Sequence, residues 1–240
     1  MFVSKKAIIG NVSFEGQSVV LGPSHLGDGT VLGLNVIVGY PSRASLEPYL
    51  NSLSGECLGV EDAASAGSRI SKGCIIRSGT VIYERAYLGD GCQTGHNTLI
   101  REDTVIGPQS RIGSMTILDG DVKIGKTVNI QSRVYLPPKT IVEDDVFIAP
   151  CVTVTNDLYP PSGRFTGVVL KKGCIICANA LLVAGVTVGE DSVVAAGAVV
   201  TRDVPSEKLV MGMPARVRMN AEDFREKRKK YAEAGSRKPS

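Results

Sequence analysis

Hydrophobic residues recur at every sixth position along most of the chain. From Ile70 to Val154 this series has fifteen positions, and all are Ile, Leu or Val except Thr94. The same spacing runs from Ile8 to Val38 and from Leu170 to Val200, which gives 27 repeats of six residues in all. A repeat of this length and number indicates one periodic architecture rather than a succession of unrelated elements.

A period of six fits neither an amphipathic helix nor a free strand. It fits a short strand followed by a corner, with one aliphatic side chain per segment pointing inward. Three segments make a triangular coil of eighteen residues, and 27 segments make about nine coils. Stacked at the ~4.8 Å spacing between strands, they form an all-β prism roughly 40 Å tall.

Two segments leave the repeat. Residues 43–68 and 157–169 are predicted to be excursions from the coils, and the first contains a run, "SRASLEPYLNSL", that suits a short helix. After the last repeat, "NAEDFREKRKKYAEA" has acids first and bases last, which is typical of a capped helix. We therefore predict a β-helix domain over 1–218, a helix over 219–234 and a flexible tail over 235–240.

Composition narrows the class of protein. The formal net charge is +3 and only 5% of residues are aromatic, so nothing favours a nucleic-acid partner. The sequence contains no apolar run of the length needed to span a bilayer, and no membrane association is predicted. We expect a cytoplasmic protein whose six cysteines are free thiols.

The repeat follows the pattern [LIV]-Gly-x-x-[STAV]-x, and the chain also contains "GAVVTRDVP" and "GMPAR" near its end. These features resemble the hexapeptide-repeat acyltransferases. The resemblance covers about residues 8–218 and implies a left-handed parallel β-helix, acetyl-CoA as co-substrate, and a homotrimer with its active sites in grooves between subunits.

Small side chains in the last coils would provide a flat wall for the pantetheine arm of coenzyme A, and basic residues nearby would hold its phosphates. The residues predicted to bind the cofactor are Ala178, Asn179, Ala184, Gly185, Ala196, Arg202 and Arg216.

The second excursion, "VTVTNDLYPPSGRF", resembles the "TND" segment of this superfamily. Related O-acetyltransferases have a histidine base just before this segment, whereas this chain has Val152–Thr155 there. An alcohol needs a base to attack a thioester, but an amine needs only to lose its ammonium proton beforehand. The resemblance thus points to N-acetylation of a nucleotide-linked 3-amino sugar.

In that interpretation Asn156 orients the sugar or the amine. Asp157 or Glu143 accepts the proton, its carboxylate pKa being raised by desolvation. Tyr159 and Arg164 close over the substrate, and backbone N–H groups of the flat wall stabilise the oxyanion.

His96 is the rival catalytic base, because it follows Thr94, the one break in the inward series. With His96 as base, the alternative activity is O-acetylation of a sugar hydroxyl. His96 lies more than three coils from Asn156, on a different side of the prism. Arg77, Arg101 and Arg85 are candidates for the pyrophosphate of the nucleotide sugar.

Two further classes share this fold. A γ-type carbonic anhydrase needs three histidine ligands per zinc, but the chain has two histidines, 71 residues apart, and we predict no metal site. A non-catalytic β-helix scaffold would need neither the second excursion nor the coenzyme A-like end.

Overall fold

The computed structural model describes residues 1–52 and 57–235, which form a parallel β-helix with a short antiparallel hairpin and a helix at its end. The strands belong to three sheets, named here A, B and C, with ten, nine and eleven strands. The chain visits them in the order A, B, C in every coil. The corners that follow the strands of sheet A form edge AB of the prism, and edges BC and CA are defined in the same way.

The strands of the first half are β1 (Phe2–Val3), β2 (Ile8–Ile9), β3 (Ser13–Phe14), β4 (Val19–Val20), β5 (His25–Leu26), β6 (Val31–Leu32), β7 (Ile37–Tyr40), β8 (Arg69–Ile70), β9 (Ile75–Ile76), β10 (Val81–Tyr83), β11 (Tyr87–Leu88), β12 (Gln93–Thr94), β13 (Leu99–Ile100), β14 (Val105–Ile106) and β15 (Arg111–Ile112). Those of the second half are β16 (Ile117–Leu118), β17 (Lys123–Ile124), β18 (Asn129–Ile130), β19 (Tyr135–Leu136), β20 (Ile141–Val142), β21 (Phe147–Ile148), β22 (Thr153–Val154), β23 (Val169–Leu170), β24 (Ile175–Ile176), β25 (Leu181–Leu182), β26 (Thr187–Val188), β27 (Val193–Val194), β28 (Val199–Val200), β29 (Lys208–Met211) and β30 (Arg216–Asn220).

The repeat predicts these strands well. The second residue of a typical strand is an inward Ile, Leu or Val, and nearly all of these are fully buried in one continuous core. The predicted nine coils correspond to β2–β28. The stack is slightly taller than predicted, because β1 precedes them and β29 and β30 extend sheet C to eleven strands.

One inward position was predicted wrongly. Ile8 is 64% exposed, and its neighbour Ile9 packs against the core instead. Ile9 pairs with Leu26, and the next inward residue, Phe14, pairs with Leu32. The first coil is therefore one residue shorter there than the period of six requires.

Thr94 is buried in its inward position. Its Oγ1 accepts a hydrogen bond from the Arg77 backbone N–H at 3.0 Å and lies 3.3 Å from Thr80 Oγ1. The Thr94 hydroxyl thus takes the place of the backbone carbonyl that would otherwise accept from this N–H in the sheet. This hydrogen bond explains the single break in the aliphatic series without any role for His96.

Both excursions leave the prism at edge AB. The first contains α1 (Arg43–Leu46), a 3₁₀-helix (Glu47–Ser52) and α2 (Cys57–Ala64). The run "SRASLEPYLNSL" predicts one short helix there, whereas α2 lies beyond this run and was not predicted. The second excursion has no regular structure between β22 and β23.

The end of the chain covers the top of sheet C. Strands β29 and β30 form the antiparallel hairpin, and α3 (Ala221–Gly235) follows, two residues later than the predicted start at residue 219. Ala221 and Phe224 pack against Val193 and Leu209. Except for Gly235, the predicted tail lies outside the described residues.

Candidate functional site

The second excursion forms a concave surface with the coil above it. Asn156 accepts a hydrogen bond through its backbone oxygen from Thr166 N–H, at 2.8 Å, and this bond closes the base of the loop. A cavity of about 580 Å³ lies between the loop and edge AB. Its lining residues are Asp157, Leu158, Tyr159, Ser162, Arg164, Thr166, Ala184 and Gly185.

Asp157 holds the loop in shape. Its carboxylate accepts hydrogen bonds from the Tyr159 N–H at 3.0 Å, the Ser162 N–H at 2.7 Å and the Ser162 hydroxyl at 2.6 Å. These bonds, led by that of the Ser162 hydroxyl, lower the pKa of Asp157. The prediction that desolvation raises this pKa is wrong, because the bonds favour the ionised form.

Glu143 lies away from the loop, at edge BC. Its Oε1 is 2.7 Å from Lys171 Nζ, and its Oε2 accepts from the Lys172 N–H at 3.0 Å. The bond from Lys171 is the main reason that the pKa of Glu143 is lowered, so a raised pKa was again predicted wrongly. The structure thus separates Glu143 from Asn156 and pairs it with a lysine.

The backbone N–H of Gly185 is a candidate hydrogen-bond donor to substrate, and it was not identified from the sequence. At most corners, the residue in this position donates its N–H to a carbonyl of the coil below, as Asn179 does to Pro150 and Gly197 to Ala178. β22 still pairs with β25, but the second excursion replaces the corner that would lie below Gly185. The Gly185 N–H has no partner among the described residues. Gly185 is exposed and has φ +82°.

The neighbouring N–H of Ala184 is occupied, because it donates to Thr155 Oγ1 at 2.9 Å. Gly185 is therefore the wall residue whose N–H remains available beside the cavity.

Apart from Glu143 and Arg216, the predicted site residues lie on the two edges that border sheet A. Edge AB carries the loop residues with Ala184 and Gly185, and it also carries Arg85, Arg101 and Arg202 on other coils. Edge CA carries a second group, which consists of Arg77, His96, Ala178, Asn179 and Ala196. Arg216 lies in β30, where its Nη1 donates to the Ala215 carbonyl at 2.8 Å.

His96 and Asn156 are not brought together within one chain. His96 precedes β13 and Asn156 follows β22, three strand levels higher in sheet A and at its opposite side. That separation is about 14 Å along the stack alone. His96 is exposed, and its backbone N–H donates to Ser114 Oγ at 3.0 Å.

Two of the arginines proposed for the pyrophosphate are already paired. Arg101 contacts Glu102 at 2.7 Å and Asp119 at 3.0 Å. Arg85 contacts Glu84 at 2.6 Å and Asp103 at 2.8 Å. To bind a pyrophosphate, Arg101 and Arg85 would have to release their carboxylate partners. Arg77 is exposed and has no carboxylate partner among the described residues.

Within residues 1–52 and 57–235 there is no group of three or more His, Cys, Asp or Glu arranged to hold a metal ion. Cys74, Cys92 and Cys174 occupy buried positions along the coils and are free thiols. The same part of the chain has no helix long and apolar enough to cross a membrane.

Comparison with known proteins gives a partial match in sequence. No family model matches the chain. A segment of 90 residues is 34% identical to 2,3,4,5-tetrahydropyridine-2,6-dicarboxylate N-acetyltransferase of Staphylococcus aureus. The match covers 38% of this chain and 37% of that enzyme, so this chain spans little more than a third of the relative's length.

Comparison of structures extends over nearly the whole chain. UDP-N-acetylglucosamine O-acyltransferase from Moraxella catarrhalis superposes with a TM-score of 0.59, at 18% identity, over 95% of this chain and 78% of that one. PerB from Caulobacter crescentus, solved with CoA and GDP-perosamine, gives a TM-score of 0.42 at 20% identity, over 78% of this chain and 70% of PerB. The superposition confirms the parallel β-helix that the repeat predicts, and the matched segment of 90 residues is similar in sequence to an acetyltransferase.

Proposed function

We propose that the protein is an acetyl-CoA-dependent N-acetyltransferase that acts on the amino group of a nucleotide-linked amino sugar. The observation that carries this proposal is the cavity between the second excursion and the coil above it. Beside this cavity lies the Gly185 N–H, which has no partner in the part of the chain that the structure describes. The Staphylococcus aureus relative is named as an N-acetyltransferase, which agrees with transfer to nitrogen.

The donor would lie along the small residues of the last coils, which leave the backbone accessible to the amides of the pantetheine arm. Its thioester would reach the cavity, where the Gly185 N–H would donate to the oxyanion of the tetrahedral intermediate. Arg202 lies on the same edge and would meet a phosphate of the donor.

The acceptor amine would enter as the free base. The side-chain amide of Asn156 makes no hydrogen bond among the described residues, so it is available to orient that amine. Neither Asp157 nor Glu143 has the raised pKa that a general base at neutral pH would need, so this site favours an acceptor that loses its proton before attack.

Acyl transfer is tested by incubating the protein with acetyl-CoA and a panel of matched amino-sugar and hydroxy-sugar nucleotides while free thiol is measured. We expect thiol release with the amino sugars, and an Ala184→Trp variant, which fills the cavity, should lose it. Release with hydroxy sugars alone would instead support O-acetylation with His96 as base, and His96→Ala would then abolish it. Absence of any thermal stabilisation by coenzyme A would contradict both activities.

A further inference from the structure

Another cavity lies on sheet B, where β2, β5 and β8 stack beside edge BC. Its volume is about 320 Å³, which is in the range of small-ligand pockets. Its polar lining consists largely of His25, Asp28, Arg69, Lys72 and Asp90. β5 follows the second strand of sheet A, whereas β22 is the eighth, so about 29 Å along the stack separates this cavity from the second excursion.

Three side chains of this cavity carry nitrogen atoms without a partner. Arg69 and Lys72 are exposed, and neither side chain makes a hydrogen bond or an ion pair among the described residues. His25 lies beside Arg69 on the adjacent strand, and its Nδ1 is buried with no hydrogen-bond partner within residues 1–52 and 57–235. A buried ring nitrogen normally has a partner. Since no such bond holds the imidazole ring, it can turn to present a nitrogen to a ligand in the cavity.

The two carboxylates of the cavity each keep one oxygen available. Asp28 Oδ1 accepts from the Asn11 N–H at 2.8 Å, and Asp90 Oδ1 accepts from the Lys72 N–H at 3.1 Å. The Oδ2 atom of each carboxylate makes no hydrogen bond to a described residue. Two cations and two carboxylates cancel in formal charge, so a simple anion would be attracted by one pair and repelled by the other. The set suits a ligand that has both an anionic group and hydrogen-bond donors.

Ile8 adds an apolar surface to these polar groups. Its side chain is 64% exposed and lies beside His25 on the adjacent strand. The C–H face of a sugar ring can pack against such a side chain and remove it from water. Sugar hydroxyls are donors to carboxylates, and a phosphate is the anion that guanidinium and ammonium groups bind best.

We propose that this cavity is a binding site for a small sugar phosphate. The phosphate accepts hydrogen bonds from Arg69, Lys72 and the imidazole of His25. The hydroxyls donate to the available oxygens of Asp28 and Asp90. This arrangement gives every polar side chain named here a partner, which neither inorganic phosphate nor an uncharged sugar would do.

This inference does not depend on acyl transfer. Its first test is calorimetric titration of the full chain with glucose 6-phosphate and ribose 5-phosphate, with inorganic phosphate and glucose as comparison ligands. At least one sugar phosphate should bind saturably at millimolar concentration or below, and more tightly than both comparison ligands. If neither sugar phosphate saturates, or if inorganic phosphate binds as tightly, the proposal is wrong.

Arg69→Gln removes a phosphate partner and should raise the dissociation constant at least about tenfold, because hydrogen bonds between charged groups are the strong ones. Arg111→Gln is the matched control, since Arg111 is exposed in the corresponding position of sheet C. It should leave binding unchanged, and equal losses in both variants would overturn the proposal. Circular dichroism of each variant checks that the fold persists.

Asp90→Asn separates recognition of a sugar phosphate from attraction of any anion. The substitution keeps an oxygen for the Lys72 N–H but removes a negative charge, so inorganic phosphate should bind more tightly. The hydroxyl loses its charged acceptor, so the preference for the sugar phosphate over inorganic phosphate should fall at least about fivefold. An unchanged preference would show that the carboxylate does not recognise hydroxyls.

Nuclear magnetic resonance locates the bound ligand, because the chain has only two histidines, His25 and His96. A His96→Ala variant assigns the two imidazole signals. Saturation with the sugar phosphate should shift the signal of His25 and leave that of His96 in place. A shift of His96 alone, or loss of binding in Ala184→Trp, would place the ligand near the site proposed for acyl transfer and overturn the inference.

Discussion

Gly185 is the residue at which the backbone, rather than a side chain, supplies the proposed chemistry. Within residues 1–52 and 57–235 its N–H has no partner, because the excursion replaces the corner that would lie below it. The sequence predicted that Gly185 is part of a flat wall. That its N–H makes no hydrogen bond could not be predicted, because this depends on which residues lie below it in the folded chain.

We predict that Gly185→Asn lowers the rate of acetyl transfer by at least about tenfold, because its side chain would cover a donor of the kind whose loss typically costs 10²–10³ in kcat. Asparagine tolerates the left-handed backbone at φ +82°, so the fold should survive. Gly73→Asn is the control, at φ +64° with nothing within 4 Å of its Cβ position, on edge BC. Equal losses of steady-state activity in both variants would show that the Gly185 N–H has no special role.

Thr94 shows why a break in a repeat is ambiguous in sequence. A polar residue in the aliphatic series can mark a functional position, or it can replace a backbone hydrogen bond. The hydrogen bond from the Arg77 N–H to the buried Thr94 hydroxyl supports the second explanation. Thr94→Val keeps the shape but removes that acceptor, so the free energy of unfolding should fall by about 1–3 kcal/mol.

Thr94→Ser retains the hydroxyl and should cost less, which makes it the matched variant in urea unfolding. If valine proves as stable as threonine, the hydroxyl is not needed by the ladder. A functional reason for the break would then have to be reconsidered.

At the scale of elements, the carboxylate of Asp157 fixes the shape of the second excursion. Asp157 bonds to residues two and five positions later, so its substitution should loosen the wall of the cavity. We predict that Asp157→Ala reduces kcat/KM for the acceptor at least about tenfold, as expected for a misplaced site.

The pH dependence separates this positioning role from catalysis. Because the pKa of Asp157 is lowered, the group is ionised throughout the neutral range, and the rate–pH profile of Asp157→Ala should keep the limbs of the wild type. Loss of a limb between about pH 6 and 8 would identify Asp157 as the base after all.

The first excursion is attached to the prism by a buried carboxylate that the sequence analysis did not select. Glu84 is fully buried and accepts hydrogen bonds from the Ser42 N–H at 3.0 Å, the Ser45 hydroxyl at 2.5 Å and the Ala66 N–H at 2.9 Å. Desolvation opposes ionisation of Glu84, but these bonds prevail and lower its pKa to about 2.

This lowered pKa predicts a dependence of stability on pH. Relative to an ordinary value of about 4.5, ionised Glu84 contributes on the order of 3 kcal/mol above that pH, and the contribution is lost as the pH falls toward 2. Glu84→Gln should therefore be less stable than the wild type at pH 7 by about 2–3 kcal/mol, and should lose less stability between pH 5 and 2. Urea unfolding across this range measures both effects, and parallel curves for the two proteins would contradict the role.

At the scale of the whole molecule, the period of six was sufficient to predict the coils, the core and the two segments that leave the repeat. It was insufficient where several conformations satisfy the same spacing. Adjacent Ile8 and Ile9 offered two phases for the first coil, and the helices of the first excursion follow no repeat. The pKa values of Asp157 and Glu143 were predicted in the wrong direction, because they depend on donors that only folding brings together.

The arrangement of the predicted site on two edges yields a prediction about the whole assembly. Asn156 lies on edge AB, and Ala178 lies on edge CA, at the opposite end of β25 from Gly185. If copies form the homotrimer that the resemblance implies and the proposed activity holds, each complete site combines edge AB of one copy with edge CA of the next. Asn156→Ala removes the contribution of one edge, and Ala178→Trp blocks that of the other.

Each variant alone should be nearly inactive, but co-expression in equal amounts should restore activity. In a cyclic assembly with random mixing, an intact edge AB meets an intact edge CA at about one site in four, so about a quarter of the wild-type rate per site is expected. Two different affinity tags on the variants allow mixed assemblies to be isolated before thiol release is measured, and in mixed trimers the intact share rises to about one site in three. If a single chain supplies the whole site, no mixed assembly contains an intact one, and the activity should remain at the level of the separate variants.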